Sequence, residues 1–292
     1  MYSTLNKNDL RMQLAAVDKR TGLTRKTFAE EYLRPRRPVV FTDLMDTWAA
    51  KEKWTIDYFK NVHGDLRVPV VDNEYGKPGK NYMKSAREIP FREYLETIEA
   101  GPTDMRMFLF NIFRHVPELC NDFQTPTIMD GFIDSYPFMF FGGEGAVVNL
   151  HYDIDMSNVF LNQFHGRKRV MLFSPEQSPY LYHQPFTVKS TVDILKPDYQ
   201  RFPALKKLRG YEVMLEPGET LFMPSGYWHH VEYVDAGYSI SLRSNDSITT
   251  RAKGLLNIAT HFVVDKGMNR IWGNGWNDYK LKSAERRATA AM

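Results

Sequence analysis

The chain has 292 residues, 43% hydrophobic and 14% aromatic, enough to bury one large core or two modest ones without disulfides. Its 38 Lys and Arg against 35 Asp and Glu leave a formal charge of +3, far from the basic footprint of a dedicated nucleic-acid binder, so nucleic acid is not the expected partner. Cys120 is the single cysteine, which excludes an intrachain disulfide and a cysteine-based zinc cluster. The N-terminus shows no signal-peptide pattern and no segment is apolar enough to span a bilayer, so a cytoplasmic protein without a membrane partner is expected.

Residues 1–104 alternate helical and extended patterns. Thr24 can cap a helix on which Phe28 and Tyr32 share a face, and the apolar run at 38–41 follows. Thr55 opens a second helix with Ile56, Phe59 and Val62 on one side and Gly64 as its stop; residues 66–71 read as a strand, and 91–101 as a third helix. From 105 to 246 the pattern becomes one short strand after another, beginning with 107–113 and punctuated by Gly, Pro and Asp, as in a sandwich or barrel. The long interruption from Pro175 to Gly210 is expected at the rim of a site. Cys120 is expected to be a small buried residue, and His165 and His183 to lie on surface turns. Residues 247–292 read as helix, with Leu255, Ile258, Phe262 and Val263 at helical spacing. That stripe is expected to pack on its own domain, with a homodimer through the C-terminal helices as the alternative.

His151 and Asp153 stand two apart on a predicted strand, so both side chains leave one face and can grip one ion; Asp155 shares that face if the strand continues. A strand His beside an Asp reads equally well as a plain hydrogen-bonded pair. The segment from Glu216 to Val231 adds a turn, a strand, a second turn and a histidine pair inside an aromatic-flanked strand. Two histidines from different strands with one carboxylate make a facial triad, which leaves positions open on an octahedral Fe(II), although Mn, Ni or Co would accept the same donors. His229 and His230 are adjacent, so they point to opposite faces and only one can join. Trp228, Tyr152 and Tyr227 are candidates for lining a cleft, against the plainer reading that they are core.

These motifs, His-Tyr-Asp at 151–153, Gly-Arg-Lys-Arg at 166–169 and Pro-Ser-Gly-Tyr-Trp-His-His-Val at 224–231, resemble the JmjC/cupin-type hydroxylases that use Fe(II) and 2-oxoglutarate. Within that family they are most similar to the asparaginyl hydroxylase acting on hypoxia-inducible factor. The resemblance covers roughly residues 30 to 245 and implies a mainly β fold: a double-stranded β-helix (cupin, or jelly roll) with an α/β lead-in and C-terminal helices. It implies His151, Asp153 and His229 as the metal ligands. It implies Lys168 for the far carboxylate of 2-oxoglutarate, and a bound dicarboxylate would give an inward-facing lysine the partner it otherwise lacks. Asn158 resembles the family's amide near the same pocket. The chain departs from the asparaginyl hydroxylase in two places: Phe108 stands where a tyrosine contacts 2-oxoglutarate, and Arg243 where a strand-end asparagine is found. Arg243 lies fourteen residues after His229, where many related oxygenases place an arginine on the far carboxylate, so it competes with Lys168 for that role.

The resemblance implies an O2-dependent hydroxylase, with a protein or peptide side chain as the expected substrate. Two other readings keep the metal: a dioxygenase or isomerase that does not use 2-oxoglutarate, and a non-catalytic cupin that binds a ligand.

Overall fold

The computed structural model describes residues 11–75, 87–107, 110–133 and 137–292. Two strands, β1 (Gln13–Ala16) and β2 (Asp18–Arg20), open the chain. Thr24 caps the next helix as its sequence suggests: its hydroxyl accepts from Thr27 N, and α1 (Arg25–Phe28) runs on through a π turn at Ala29–Leu33. Phe28 and Tyr32 are both buried. After β3 (Val39–Phe41) come α2 (Ala50–Lys53) and α3 (Ile56–Val62), the latter capped by Thr55. Ile56 and Phe59 face inward as expected, but Val62 at the last turn is 59% exposed, because the chain turns away there before Gly64. β4 (Arg67–Val71), β5 (Arg87–Pro90) and α4 (Phe91–Glu99) complete this part, with Phe91, Tyr94, Leu95 and Ile98 forming the buried stripe of α4.

Of the strand expected over 107–113, Met107 lies in β6 (Arg106–Met107), residues 108–109 fall outside the described residues, and Ile112–Arg114, like Pro117–Asp122, is a short 3-10 turn. Leu119 and Asp122 take the inner side of the second turn, which leaves Cys120 exposed rather than buried.

Eight strands form the centre: β7 (Phe138–Gly142), β8 (Val147–His151), β9 (Asn158–His165), β10 (Lys168–Phe173), β11 (Arg209–Leu215), β12 (Thr220–Met223), β13 (Trp228–Tyr233) and β14 (Gly237–Ser244). They divide between two facing sheets, ordered β11-β10-β13-β8 and β12-β9-β14-β7, the arrangement of a double-stranded β-helix. The earlier strands extend both sheets: β1 joins β11, while β2 and β3 add beyond β12 and β4 to β6 beyond β7. Between the sheets lies an aliphatic core of Val159, Leu161, Val170, Leu172, Val231 and their neighbours. A second, aromatic core packs the larger sheet on the N-terminal helices. A third covers the outer face of the smaller sheet with residues from 180–208 and the last helix.

The C-terminal residues form α5 (Ile248–Ala259), a π turn at Thr260–Asp265, α6 (Lys266–Trp272) and α7 (Asn274–Ala291). Here the apolar stripe behaves otherwise than expected. Leu255, Phe262 and Val263 are exposed by 69%, 55% and 73%, and α5 docks through Thr250 and Gly254, its small side. Among the described residues no helix is long and apolar enough to cross a membrane.

Candidate metal centre and co-substrate pocket

β8 ends at His151, so Asp153 does not share a strand with it as the spacing suggested; Asp153 sits in the turn that follows, closed by Met156 N donating to Asp153 O at 3.1 Å. A bulge aims His151. Its partner is His229 on β13, but Val148 pairs with Val231, so Asn149 and Leu150 of β8 oppose the single residue His230 of β13, and both Val148 and His151 point between the sheets. Ligand atoms of His151, Asp153 and His229 all lie within 4.8 Å of one another, and the two imidazoles are 4.3 Å apart between centroids.

Backbone carbonyls orient both rings. His151 Nδ1 lies 2.8 Å from Asn149 O and His229 Nδ1 lies 3.1 Å from Tyr227 O. A carbonyl oxygen can only accept, so in each ring Nδ1 is the donor, which leaves Nε2 as the nitrogen that could face a metal. Burial and the neighbouring His229 push His151 down to about 3, which keeps it neutral and able to ligate. Burial would raise the Asp153 carboxyl, but Arg243 and the two histidines outweigh it and hold the group ionised. His230 points to the other side of the sheet; both its nitrogens are buried without a partner among the described residues, and burial lowers it to about 4.

Lys168 is 1% exposed at the deep end of the same interior. Its Nζ donates to Ser239 Oγ and stands 4.3 Å from the centroid of Tyr233, its cross-strand neighbour. No carboxylate among the described residues pairs with it, and burial alone lowers it to about 7. Arg243 is engaged elsewhere. Its guanidinium pairs with Asp153 and Asp155 at 3.1 Å each and donates to Ser157 Oγ at 2.9 Å. Asn158 is buried, its carbonyl oxygen accepting from Ser225 N at 2.8 Å and its Nδ2 without a hydrogen-bond partner among the described residues. Strand alternation puts it on the face of Phe160, whereas Ser157 is the residue that meets Arg243. Phe108 lies outside the described residues.

The aromatic candidates for a cleft are packing residues. Trp228 is fully buried on the outer face of the smaller sheet, touching Tyr152 and His183 edge-on, and Tyr227 is buried with its hydroxyl donating to Arg36 O. His183 is half-buried against them, not on an open turn, because its Nε2 meets Thr187 O at 2.6 Å. The Pro175–Gly210 segment does reach the centre: the backbones of Lys189 and His151 form an isolated antiparallel β-bridge, and Tyr152 N donates to Val188 O. Ser157, Ser239 and Tyr233 were not singled out from the sequence; the only available signal for Tyr233 was that it falls opposite Lys168 once β10 and β13 are paired.

Residues 24–247 match the cupin-like domain family. The chain belongs to that family. Similar cupin-like proteins include lysine-specific demethylase 8 of Xenopus tropicalis, 30% identical over 225 residues, 73% of this chain and 49% of that protein. The tRNA wybutosine-synthesizing protein 5 of Gallus gallus is 27% identical over 240 residues, 76% of this chain and 74% of that protein. JmjC domain-containing protein D of Dictyostelium discoideum is 28% identical over 271 residues, 82% and 59% of the two chains. The chain spans about half the length of the demethylase relatives it matches. These names support the JmjC/cupin oxygenase family and leave the asparaginyl hydroxylase as a loose comparison.

Proposed function

We propose that this protein is an Fe(II)- and 2-oxoglutarate-dependent oxygenase that oxidises a C–H bond on a protein or peptide side chain. The observation that carries the reading is the pairing of two sites in one interior: three convergent donors at one end, and a buried lysine without a carboxylate partner at the other. His151, Asp153 and His229 would hold the metal, presenting two Nε2 lone pairs and one carboxylate oxygen. Lys168 with Ser239 would hold the far carboxylate of 2-oxoglutarate, and Arg243, already shared by two aspartates, would not. A bound dicarboxylate would give Lys168 the counter-charge it lacks and so offset part of the cost of burying it.

Iron(II) with 2-oxoglutarate supplies oxidation by O2, in which the co-substrate loses CO2 to become succinate and one oxygen atom enters the substrate. The chain's own part is geometric. The carbonyls of Asn149 and Tyr227 fix the tautomers and planes of the two imidazoles. Val159, Leu161, Val170 and Val231 line the space between the sheets with apolar side chains. No side chain has to act as a general acid or base.

The test compares proteins from cells carrying the wild type or His229→Ala, searching for a one-oxygen mass increase that requires the wild type. Loss of a methyl group with formaldehyde release would instead match the relatives named as demethylases. A tRNA base is the second reading, favoured by the similarity to the wybutosine-synthesizing protein across 74% of its length; a wild-type-dependent change in tRNA, with none in protein, would establish it.

A further inference from the structure

The turn between β8 and β9 contains a second aspartate that the triad does not use. Arg243 reaches into this turn and faces two carboxylates: Nη1 lies 3.1 Å from Asp153 Oδ2 and 3.1 Å from Asp155 Oδ1, and Nη2 lies 3.2 Å from Asp153 Oδ1. Both Asp153 oxygens therefore lie within reach of one guanidinium, which is a direct rival to any cation at the triad. Asp155 draws the same guanidinium the other way. We propose that Asp155 is a positioning residue: it holds Arg243 partly off Asp153, so that the Asp153 carboxylate stays available to a divalent cation. This rests on the triad reading of the proposed function.

Asp155 is built into place from several sides. Its Oδ1 accepts from Ser157 N at 3.3 Å and its carboxylate from Ser157 Oγ at 3.0 Å. Met156 adopts φ 56, in the left-handed region that a non-glycine residue seldom occupies, and Ser225 Oγ donates to its carbonyl at 2.5 Å. Helix α5 closes the back of the turn through Gly254, where a Cβ would come within 2.2 Å of Asp155 O. The Asp155 side chain is nevertheless 37% exposed, against 19% for Asp153, so it can be altered without opening the core.

The experiment measures affinity for Co(II) alone, by competition with a chromophoric chelator. Four proteins are compared: wild type, Asp155→Asn, Arg243→Gln and the double variant, with unfolding of each in chelator as a control. Asp155→Asn should bind Co(II) more weakly, on the order of 10–100-fold as for other residues that orient a metal ligand. Arg243→Gln alone should bind no more weakly than wild type, because the rival cation is gone, and adding it to Asp155→Asn should restore most of the affinity. Asp155→Glu, which keeps the charge, should stay near wild type. Unchanged affinity in Asp155→Asn, or a double variant as weak as the single one, overturns the proposal. A wild type that binds no Co(II) overturns the triad reading itself, and this inference with it.

Discussion

The interior between the two sheets holds two cations, a half-buried arginine and a buried lysine, whose circumstances are opposite. Arg243, at the mouth, is surrounded by Asp153, Asp155 and Ser157, and its charge is stabilised where it stands. Lys168, at the deep end, has a serine hydroxyl and the face of Tyr233 and no carboxylate among the described residues. Residue type and sequence position made both of them candidates for one task, with Lys168 favoured; the carboxylates around them differ. A cation whose partners come from the fold is structural, while one buried without a counter-charge is a cost that a ligand can remove.

The largest expected effect breaks the mouth. His151→Ala or His229→Ala removes one of three donors, and stoichiometric binding of Mn(II) or Co(II) should be lost in a titration. His230→Phe, one residue away on the opposite face, should retain it. Next comes the deep end: Lys168→Ala should weaken 2-oxoglutarate binding to the Mn(II)-loaded protein by roughly 10–100-fold, the range of a charge-assisted hydrogen bond. Arg243→Gln should weaken it less, and the reverse order would reassign the carboxylate to Arg243.

The difference also has a pH signature. Lys168 titrates near 7 in the empty protein, well below its ordinary value, so above pH 7 it must take up a proton when a dicarboxylate binds. Affinity for 2-oxoglutarate should therefore fall by about tenfold per pH unit above 7 and level off below it; Lys168→Ala should flatten the slope. The same depressed value makes the lysine a stability cost. Between pH 7 and the unfolded value the unfolded chain holds the extra proton, so stability contributed by this group rises with pH, and the cost is fully present below 7. Lys168→Met should raise stability at neutral pH, on the order of 1–3 kcal/mol, with the gain shrinking toward pH 10 in denaturant titrations. The smallest effect lies outside the comparison: Phe262→Glu on the exposed face of the C-terminal helices should change stability by less than about 0.5 kcal/mol.

Much of the central architecture was legible because strand patterns and turns are local signals, and eight of the nine strands read from 105 onward appear as β7 to β14. The ninth, at 107–113, departs at Ile112 and Phe113, which enter a 3-10 turn, because an apolar run carries no sign of whether a sheet edge is there to receive it. The three donors were legible as motifs, yet the reason for their convergence was not. Asp153 was expected on the strand of His151, whereas a turn delivers it and a bulge aims the histidine. The partners of Arg243 were hidden too, because Asp155 and Ser157 fold back onto β14, a tertiary fact with no trace in spacing. Exposure of the helical stripe at Leu255 and Phe262 was equally hidden, since a single glycine, Gly254, selects the opposite face for docking.

The most direct test is a calorimetric titration of the Mn(II)-loaded protein with 2-oxoglutarate under anaerobic conditions, beside the metal-free protein and Lys168→Ala. The account predicts one dicarboxylate bound per chain in the loaded wild type and much weaker binding when either the metal or Lys168 is removed. Loaded wild type that binds no 2-oxoglutarate, or binds it equally well without Lys168, would contradict it.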